Sequence, residues 1–367
     1  MIRYVRAWWQ ILKAASGTVM RGGRQVDLYF RYFVLRNLDE AGLFNYLEEP
    51  RTYGQILAHT GFSDNKFTRE LLDVLAADRN NVIIAEDGHY RINPEVPLPT
   101  IDTIVGKTDK RFHSFTMLAE GMAANVVPKL RSERIEFSQG FEAEGRNFLA
   151  KFDAVLANRV YGGSRQAILE FLRKEERDWL RGKHLLDIGC GSGRETAELW
   201  LKLKGKTRIT AVDPVEGMLK LARANFEIHL KELNPAHPAI TTENRPVFKQ
   251  ANAASLPFED NTFDAAFIMY VLHWTPDPRK VIREMVRVVK PGGLIIGAQG
   301  FRPEANEYFD VTLRTNENCF GFFWREDFRR WFAEHDLTVD MVTPAGVFRV
   351  KNSPQTPIRI EVGHDKS

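Results

Sequence analysis

In the second half of the chain, short apolar runs alternate with segments whose apolar positions recur at helical spacing. The short runs have the length and the continuous hydrophobicity of strands that are buried on both faces. They lie at residues 184–188, 208–212, 263–269 and 294–298, and the helical patterns between them lie at residues 194–204, 216–226 and 279–289. This alternation predicts an α/β fold, a doubly wound Rossmann-like sheet of parallel strands with helices on both faces.

The first part of the chain has a different pattern. Residues 27–45 and 66–78 have helical periodicity, and a short β-like run follows at residues 81–85. An Asp-Gly turn signal then leads into a second run at residues 89–92, which predicts a hairpin. Helices followed by a hairpin indicate a winged helix.

These patterns and the positions of proline divide the chain into three predicted parts. Residues 1–95 form a helical, winged-helix domain, and residues 96–180 open with spaced prolines and continue as helices. Residues 181–367 form the α/β domain. A length of 367 residues agrees with two domains joined by a further segment.

Composition excludes several classes of protein. The chain has two cysteines, Cys190 and Cys319, which exclude a disulfide framework and a four-cysteine zinc site. No His, Asp or Glu cluster has metal-ligand spacing, so no metal is expected. The sequence contains no apolar stretch long enough to span a bilayer and no secretory cleavage pattern, which favours a cytoplasmic location.

The basic charge is concentrated near the N-terminus. The formal net charge of +3 is too small to indicate nucleic-acid binding, but residues 1–36 carry seven Lys and Arg and one acid. Trp8 and Trp9 lie in the same segment. Residues 1–26 therefore have two interpretations: peripheral contact with an anionic membrane, or packing on this chain or on a partner subunit.

Residues 185–193 read Leu-Leu-Asp-Ile-Gly-Cys-Gly-Ser-Gly, the pattern of a buried strand that enters a glycine-rich turn. Asp213 ends the next strand, 20 residues after Gly193, where a carboxylate can accept hydrogen bonds from the hydroxyls of a ribose. The spacing is Gly-x-Gly-x-Gly, whereas a dinucleotide loop has Gly-x-Gly-x-x-Gly. This favours a nucleoside with an amino-acid tail, and the alternatives are a dehydrogenase loop and a purely structural turn.

Four segments in the second half resemble, in order and spacing, the core of the class I S-adenosylmethionine-dependent methyltransferases, especially the ubiquinone/menaquinone C-methyltransferase-like branch. The segments are residues 185–193, residues 211–213, residues 256–258 with 261–264, and residues 290–293. The resemblance implies that S-adenosylmethionine is the cofactor. It places nine residues around that cofactor: Asp187 at the ammonium group, Gly189, Cys190, Gly191 and Gly193 along the methionine moiety, Asp213 at the ribose, and Met218, Asn252 and Ala253 near the adenine.

One of these positions departs from the family pattern. The family often has Asp where this chain has Asn252, which is expected to accept a hydrogen bond from the adenine amino group. The amide oxygen of Asn252 can still accept that bond.

Residues 41–93 resemble the winged-helix domain of small-molecule O-methyltransferases, which dimerises and helps to cover the substrate site. The resemblance implies a homodimer, with residues 96–180 as a helical linker and substrate-cover region. The alternative is a DNA-binding regulator that senses S-adenosylmethionine without turnover. The candidate recognition helix offers few residues that could reach bases, namely Asn65, Lys66, Arg69 and Glu70.

The methyl acceptor is expected beyond the strand at residues 263–269. A hydroxyl acceptor needs a base, and His273 is the candidate because it follows that strand at the carboxyl edge of the sheet. A packing role beneath Trp274 is the alternative. The candidate substrate residues are Tyr270, Trp274, Phe323 and Trp324.

The sequence therefore predicts methylation of an oxygen or carbon of a hydrophobic small molecule that is aromatic or quinone-like. Methylation of a lipid at the membrane surface is a further alternative, because the N-terminal segment is basic and carries tryptophans.

Overall fold

The structure is a computed structural model of the 367-residue chain. It describes residues 4–7, 9, 19–77, 81–107, 114–135, 153, 159–302, 307–342 and 346–352. Much of the segment at residues 1–26, for which the sequence leaves membrane contact and packing on this chain or a partner as alternatives, lies outside this set. Within the described residues, none of the helices combines the length and the hydropathy needed to cross a bilayer.

The N-terminal part contains helices and a small antiparallel sheet. Its helices are α1 (Val19–Glu40), α2 (Leu43–Tyr46), α3 (Tyr53–Thr60) and α4 (Lys66–Ala76), and its strands are β1 (Arg51–Thr52), β2 (Ile83–Glu86) and β3 (His89–Ile92). The strands pair in the order β1-β3-β2. The order of α3, α4 and the β2–β3 hairpin is the order of elements in a winged helix.

Residues with left-handed backbone determine two connections in the N-terminal part of the chain. The hairpin confirms the turn prediction, because Asp87 and Gly88 both have positive φ, 49° and 74°, as the favoured two-residue turn requires. The single helix predicted over residues 27–45 is wrong, because Gly42 has a φ of 81° and separates α1 from α2. A left-handed residue ends a helix.

The segment between the two predicted domains is helical where it is described. It contains α5 (Ile101–Lys107), α6 (Ser114–Ala123), α7 (Val126–Leu130), α8 (Arg159–Phe171) and α9 (Lys174–Leu180). Helix α6 packs on α1, and α8 packs on the large sheet. The middle segment thus contacts both neighbouring parts of the chain.

The C-terminal part is an α/β domain whose seven-stranded sheet has the order β6-β5-β4-β7-β8-β10-β9. Its strands are β4 (His184–Ile188), β5 (Arg208–Asp213), β6 (Val247–Gln250), β7 (Phe263–Met269), β8 (Val289–Ala298), β9 (Val339–Val342) and β10 (Val347–Asn352). Its helices are α10 (Arg194–Lys202), α11 (Glu216–Leu233), α12 (Pro278–Val288), α13 (Glu307–Leu313) and α14 (Arg325–Ala333).

The topology confirms the predicted α/β class and corrects one detail. Strands β6, β5, β4, β7 and β8 are parallel, but β10 is antiparallel to both β8 and β9. The strand order reverses between β4 and β7, and in open α/β sheets ligands bind in the crevice outside the carboxyl ends of strands at such a point.

The N-terminal helices share an apolar core with the segment that connects β8 to β9. Tyr308, Val311 and Leu313 of α13, together with Phe322, belong to the same buried cluster as the apolar face of α1. We call residues 299–338, between the end of β8 and the start of β9, the insert. Because the insert leaves the sheet at the carboxyl end of β8, this shared core lies at the ligand-binding edge of the sheet.

A buried carboxylate ties the insert to itself and to the N-terminal part. Asp310 is buried and forms ion pairs with Arg302 and with Arg314, the latter at 3.2 Å between Nε and Oδ2. Its other oxygen accepts a hydrogen bond of 2.6 Å from the backbone N–H of Phe322. Arg314 also pairs with Glu70 of α4. Asp310 thus organises the chain that covers the carboxyl edge.

The substitution Asp310→Asn is expected to destabilise the protein by about 2–4 kcal/mol, because it removes the charge that two partly buried arginines pair with. The measurement is the free energy of unfolding in urea. The matched control is Asp260→Asn, which breaks an exposed pair with Arg287 and should cost less than about 1 kcal/mol. Equal losses in the two variants would contradict the organising role of Asp310.

Candidate active site

The glycine-rich loop follows β4 and is held against the end of β5. The backbone N–H groups of Gly189 and Cys190 both donate to the carbonyl of Val212, at 2.7 and 3.0 Å. Gly189, Gly191 and Gly193 have φ values of 71°, 51° and 83°. Side chains rarely adopt this left-handed backbone, so the conformation of the loop accounts for all three glycines.

Two of these glycines also allow close packing. A Cβ atom on Gly189 would lie 2.4 Å from Cγ2 of Val271, and one on Gly193 would lie 2.9 Å from Cβ of Ala222. The loop is therefore wedged between the turn after β7 and helix α11.

Asp213 lies at the carboxyl end of β5 and fixes the loop from the other side. Its Oδ2 accepts a hydrogen bond from the N–H of Gly191 at 3.0 Å, and its Oδ1 accepts one from the N–H of Val215 at 2.9 Å. Each carboxylate oxygen keeps a second lone pair, so the group can still accept bonds from a ribose diol. Burial raises the pKa of Asp213 to about 6, and the two backbone N–H groups oppose that shift.

Asp187 is a second buried carboxylate, at the carboxyl end of the neighbouring strand β4. The hydroxyl of Thr196 donates to it at 2.6 Å. Burial raises the pKa of Asp187 to about 7, and the nearby acids Glu195 and Asp213 raise it further against the lowering effect of Thr196. In the described part of the chain, Asp187 and Asp213 form no ion pair. Two buried carboxyl groups of this kind fit a ligand that has both an ammonium group and a diol.

The three residues predicted near the adenine have different environments. Met218, in the first turn of α11, and Ala253 are buried. Asn252 is exposed, and its Oδ1 accepts a hydrogen bond of 2.9 Å from the N–H of Ala254. One lone pair of that oxygen therefore caps the turn after β6, and the contact of Asn252 with an adenine stays a prediction.

Further residues beside the loop have no recognisable pattern in the sequence. Arg165 of α8 is buried and pairs with Glu195 at 2.9 Å and with Glu198 at 2.5 Å, both in α10. The hydroxyl of Ser192 in the loop donates to Asp153. The two partners of each interaction are 30 to 39 residues apart in the sequence, and each partner is a single charged or polar residue that belongs to no recognisable motif. They fasten the middle segment to the loop and to the start of α10.

The chain takes a strained turn where β7 ends. Tyr270 has a φ of 52°, which is a rare conformation for a bulky residue, and its N–H donates to the carbonyl of Ala298 at 2.8 Å. A short 3-10 turn, Leu272–Trp274, follows. The turn brings Tyr270, His273 and Trp274 to the carboxyl edge of the sheet, as the sequence predicts.

His273 lies in an aromatic environment and is only 3% exposed. Its ring stacks on Phe322 of the insert, with 4.7 Å between the centroids, and it contacts Trp274 and Phe309. Burial lowers the pKa of His273 to about 3. The surroundings disfavour the role of general base suggested by the sequence, because a group with so low a pKa is a weak base at neutral pH.

The other two candidate substrate residues lie apart from His273. Phe323 is buried in the cluster around α14, and its ring centroid is 4.8 Å from that of Trp331. Trp324 is 49% exposed and precedes the first residue of α14. Phe323 packs in the core around α14, whereas the neighbouring Phe322 stacks on His273, so a contact of Phe323 or Trp324 with the substrate stays a prediction. Sequence reasoning missed Gln299, which does contact His273.

The substitution Gly189→Ala is expected to distort the loop, because the new methyl group would overlap Val271. Gly88→Ala is the matched control, since Gly88 has nearly the same φ and no atom lies within 4 Å of its added Cβ. Each variant should lose about 1–2 kcal/mol of stability from the backbone alone. We expect Gly189→Ala also to bind S-adenosylmethionine at least about tenfold more weakly, measured by calorimetry, because overpacking shifts the loop. Wild-type affinity in Gly189→Ala would contradict the role of the loop in cofactor binding.

Comparison with known proteins agrees with this geometry. Residues 186–297 match the family described as the methyltransferase domain. The demethylmenaquinone methyltransferase of Bacillus cereus (strain ATCC 10987 / NRS 248) is 30% identical in an alignment 188 residues long that covers 48% of this chain and 74% of that protein. Residues 186–297, which match the family, contain the glycine-rich loop and the strand that ends at Asp213.

Solved structures resemble the chain over a longer range. The CurJ carbon methyltransferase aligns with a TM-score of 0.69 and 14% identity, over 95% of this chain and 96% of that chain. An O-methyltransferase family 2 protein from Planctomyces limnophilus DSM 3776, in complex with apigenin, aligns with a TM-score of 0.52 and 17% identity, over 89% and 95%. These structures show the fold and nothing finer. Together with the relative that shares 30% identity over most of its length, they show that the chain belongs to the class I S-adenosylmethionine-dependent methyltransferases.

Proposed function

We propose that this chain transfers the methyl group of S-adenosylmethionine to a hydrophobic small molecule, and that the acceptor atom is a carbon next to an enol or quinol oxygen. One observation carries the cofactor part of the proposal. Two buried carboxyl groups, Asp187 and Asp213, flank a glycine-rich loop at the carboxyl ends of adjacent strands and form no ion pair within the described residues. Such an arrangement is costly unless a ligand compensates it.

The residues divide the binding of the cofactor among them. Asp213 would accept hydrogen bonds from the ribose hydroxyls, and Asp187 would pair with the ammonium group of the methionine moiety. The loop at residues 189–193 would allow close approach of the methionine chain, and Met218 would pack beside the adenine. When bound, S-adenosylmethionine supplies a methyl group that is already activated on a sulfonium, so the protein mainly orients the acceptor and excludes water.

The wall on the acceptor side favours an apolar substrate. His273, Trp274, Phe309 and Phe322 form a continuous aromatic group at the ends of β7 and β8. The histidine in this group has a pKa of about 3 and is a weak base. An acceptor that ionises readily, such as an enol or a quinol, needs a strong base less than a simple alcohol does. The name of the relative from Bacillus cereus, which is a demethylmenaquinone methyltransferase, supports a quinol in particular.

The N-terminal part and the insert would cover this acceptor. Both belong to one apolar core at the carboxyl edge of the sheet, which agrees with the substrate-cover role expected for residues 96–180 and for the N-terminal domain. The predicted homodimer stays a prediction. Helix α4 offers little to DNA, because Arg69 pairs with Asp64, and Glu70 pairs with Lys66 and with Arg314 of the insert.

Cofactor affinity is expected to fall on acidification, first through the titration of Asp187, whose pKa is raised to about 7, and then through that of Asp213, whose pKa is raised to about 6. Below the pKa of Asp213 its carboxyl group carries a proton and accepts ribose hydrogen bonds poorly, so affinity should fall about tenfold per pH unit. Protonation also relieves the cost of burying the charge. The contribution of Asp213 to the stability of the ligand-free protein should therefore rise as the pH falls through 6, which is opposite in sign to the change in affinity.

Calorimetric titration with S-adenosylmethionine between pH 5 and 8 measures this dependence. Asp213→Asn should bind weakly at every pH, and the exposed control Glu243→Gln should behave as the wild type does. A wild-type affinity that does not change between pH 7 and 5 would exclude Asp213 from the cofactor site.

The acceptor class is tested with two probes and isotopically labelled S-adenosylmethionine. The first probe is a naphthoquinol that carries one prenyl group, prepared by reducing the quinone, and the second is the flavonoid apigenin. We expect a C-methylated naphthoquinol and no O-methylated apigenin, with the products identified by mass spectrometry. Methylation of apigenin alone would favour an oxygen acceptor and contradict the carbon proposal.

A further inference from the structure

Gln299 and His273 form a buried hydrogen-bonded pair at the carboxyl ends of β8 and β7. Gln299 follows the last residue of β8 and is 1% exposed. Its Nε2 lies 3.0 Å from the carbonyl oxygen of Gly300 and 3.0 Å from Nδ1 of His273. One amide nitrogen thus contacts both a backbone carbonyl and an imidazole nitrogen.

The carbonyl of Gly300 determines which way the amide of Gln299 is oriented. A carbonyl oxygen only accepts hydrogen bonds, so the side-chain atom that faces it must be the NH₂ group and not the amide oxygen. The second hydrogen of that NH₂ group is then available to the imidazole. In the reverse orientation, two oxygens would face each other in a buried site.

The orientation of the amide in turn determines the tautomer of His273. Because Gln299 donates to Nδ1, that nitrogen carries a lone pair, and the proton of the neutral ring lies on Nε2. The ring is held neutral by its surroundings: burial lowers its pKa to about 3, and the groups packed against it are the rings of Trp274, Phe309 and Phe322.

Asp310, a buried acid of the insert, does not oppose the lowering of the pKa of His273. Asp310 bonds to the backbone N–H of Phe322, and its charge is already paired with Arg302 and Arg314. The imidazole therefore has a defined donor, Nε2–H, and no carboxylate of the described residues is paired with it to stabilise its protonated form.

We propose that Gln299 is a positioning residue that holds His273 as a neutral Nε2–H donor, and that this N–H binds the acceptor oxygen next to the carbon that is methylated. The inference rests on the proposed function, because it assumes an enol- or quinol-type acceptor. In the transfer step, a bond forms between the acceptor carbon and the methyl carbon, and the S–CH₃ bond breaks with its electron pair going to sulfur. The acceptor oxygen becomes a carbonyl as its proton is released to water, and His273 neither gains nor loses a proton. With a quinol, the methylated carbon then loses its hydrogen as a proton to water and the carbonyl oxygen takes up a proton from water, which restores the aromatic quinol.

This orientation of Gln299 leaves its amide oxygen without a hydrogen bond. Gln299 Oε1 is buried and has no hydrogen-bond partner among the described residues. A glutamate at this position would instead offer only acceptor oxygens to the ring, and it would draw the proton to Nδ1. Glutamine and glutamate of nearly equal size thus enforce opposite tautomers, which makes the substitution Gln299→Glu a test with a definite sign.

The first measurement is the ¹⁵N spectrum of histidine-labelled full-length protein at neutral pH, with His273→Asn used to assign the signals. We expect the Nε2–H tautomer in the wild type and the Nδ1–H tautomer in Gln299→Glu. Addition of the prenyl naphthoquinol with S-adenosylhomocysteine should shift the Nε2–H resonance. A wild-type ring protonated on Nδ1, or an Nε2–H resonance that does not respond to the naphthoquinol, overturns the proposal.

The second measurement is turnover of the prenyl naphthoquinol. Gln299→Glu should lower kcat about 10²-fold or more, because it reverses the tautomer and removes a donor to the transition state. Gln299→Met, which removes the hydrogen bond without imposing a tautomer, should lower kcat less than about tenfold. If His273 were a base, Gln299→Glu would be at least as fast as the wild type, because a carboxylate would expose the Nε2 lone pair and raise the pKa of the ring.

A control separates this inference from the proposed function. Each variant is titrated with S-adenosylmethionine, and unchanged affinity shows that the cofactor site is intact. If the wild type itself fails to bind S-adenosylmethionine, the proposed function is wrong, whereas the tautomer in the ¹⁵N spectrum still decides the role of Gln299. If Gln299→Glu does not fold, the wild-type spectrum and Gln299→Met decide it.

Discussion

Asp187 and Asp213 are buried side by side at the ends of β4 and β5 and have no counter-ion in the described structure. Their burial constrains the glycine-rich loop and the elements packed against it. Asp213 can remain buried because backbone N–H groups from the glycine-rich loop and from the start of α11 donate to it. Those bonds require a loop that folds back onto β5, and the fold-back requires left-handed residues, hence the glycines. The loop then lies so close to Val271 and Ala222 that the turn after β7 and helix α11 must hold their positions as well.

The acceptor side is built on a different principle. Around the cofactor loop, polar groups bond to the backbone, whereas around His273 aromatic rings surround one hydrogen-bonded pair. The two regions meet at the strained Tyr270, which joins β7 to the 3-10 turn. Strain of this kind persists only where the surrounding structure over-determines the backbone, and here the Tyr270 N–H bonds to the end of β8. The turn thus holds the acceptor wall at a fixed distance from the loop.

The features that the sequence predicted well depend on local patterns. Strands β4 and β7 begin and end at the predicted residues, because each is a continuous apolar run next to a turn motif of the family, residues 189–193 after β4 and residues 256–262 before β7. Strand β6 escaped prediction because only Phe248 is buried in it, which leaves no apolar run to recognise. The sequence analysis predicts no strand after residue 298, so it lacks both β9 and β10, and the antiparallel direction of β10 is a property of the sheet and not of any segment.

The candidate site divides in the same way. The cofactor residues lie in contiguous motifs, whereas His273 and Gln299 are 26 residues apart and Arg165 is 30 residues from Glu195. No spacing rule connects such pairs, because the fold brings them together through neighbouring strands and helices. The aromatic-rich stretch has a related difficulty: composition does not tell that the ring of Phe322 stacks on His273 and that the ring of Phe323 packs in the core around α14.

The apolar core shared by α1 and the insert has a consequence for recombination between relatives. A chimaera that exchanges only the N-terminal part would place a foreign α1 against the native Tyr308, Val311 and Leu313. Because this contact is buried and closely packed, side chains of a different shape would pack poorly there. The N-terminal part and residues 299–338 would therefore have to be exchanged together, although strands β4 to β8 lie between them in the sequence. Transferring acceptor specificity between relatives would accordingly require two crossovers in the α/β domain, one after β8 and one before β9.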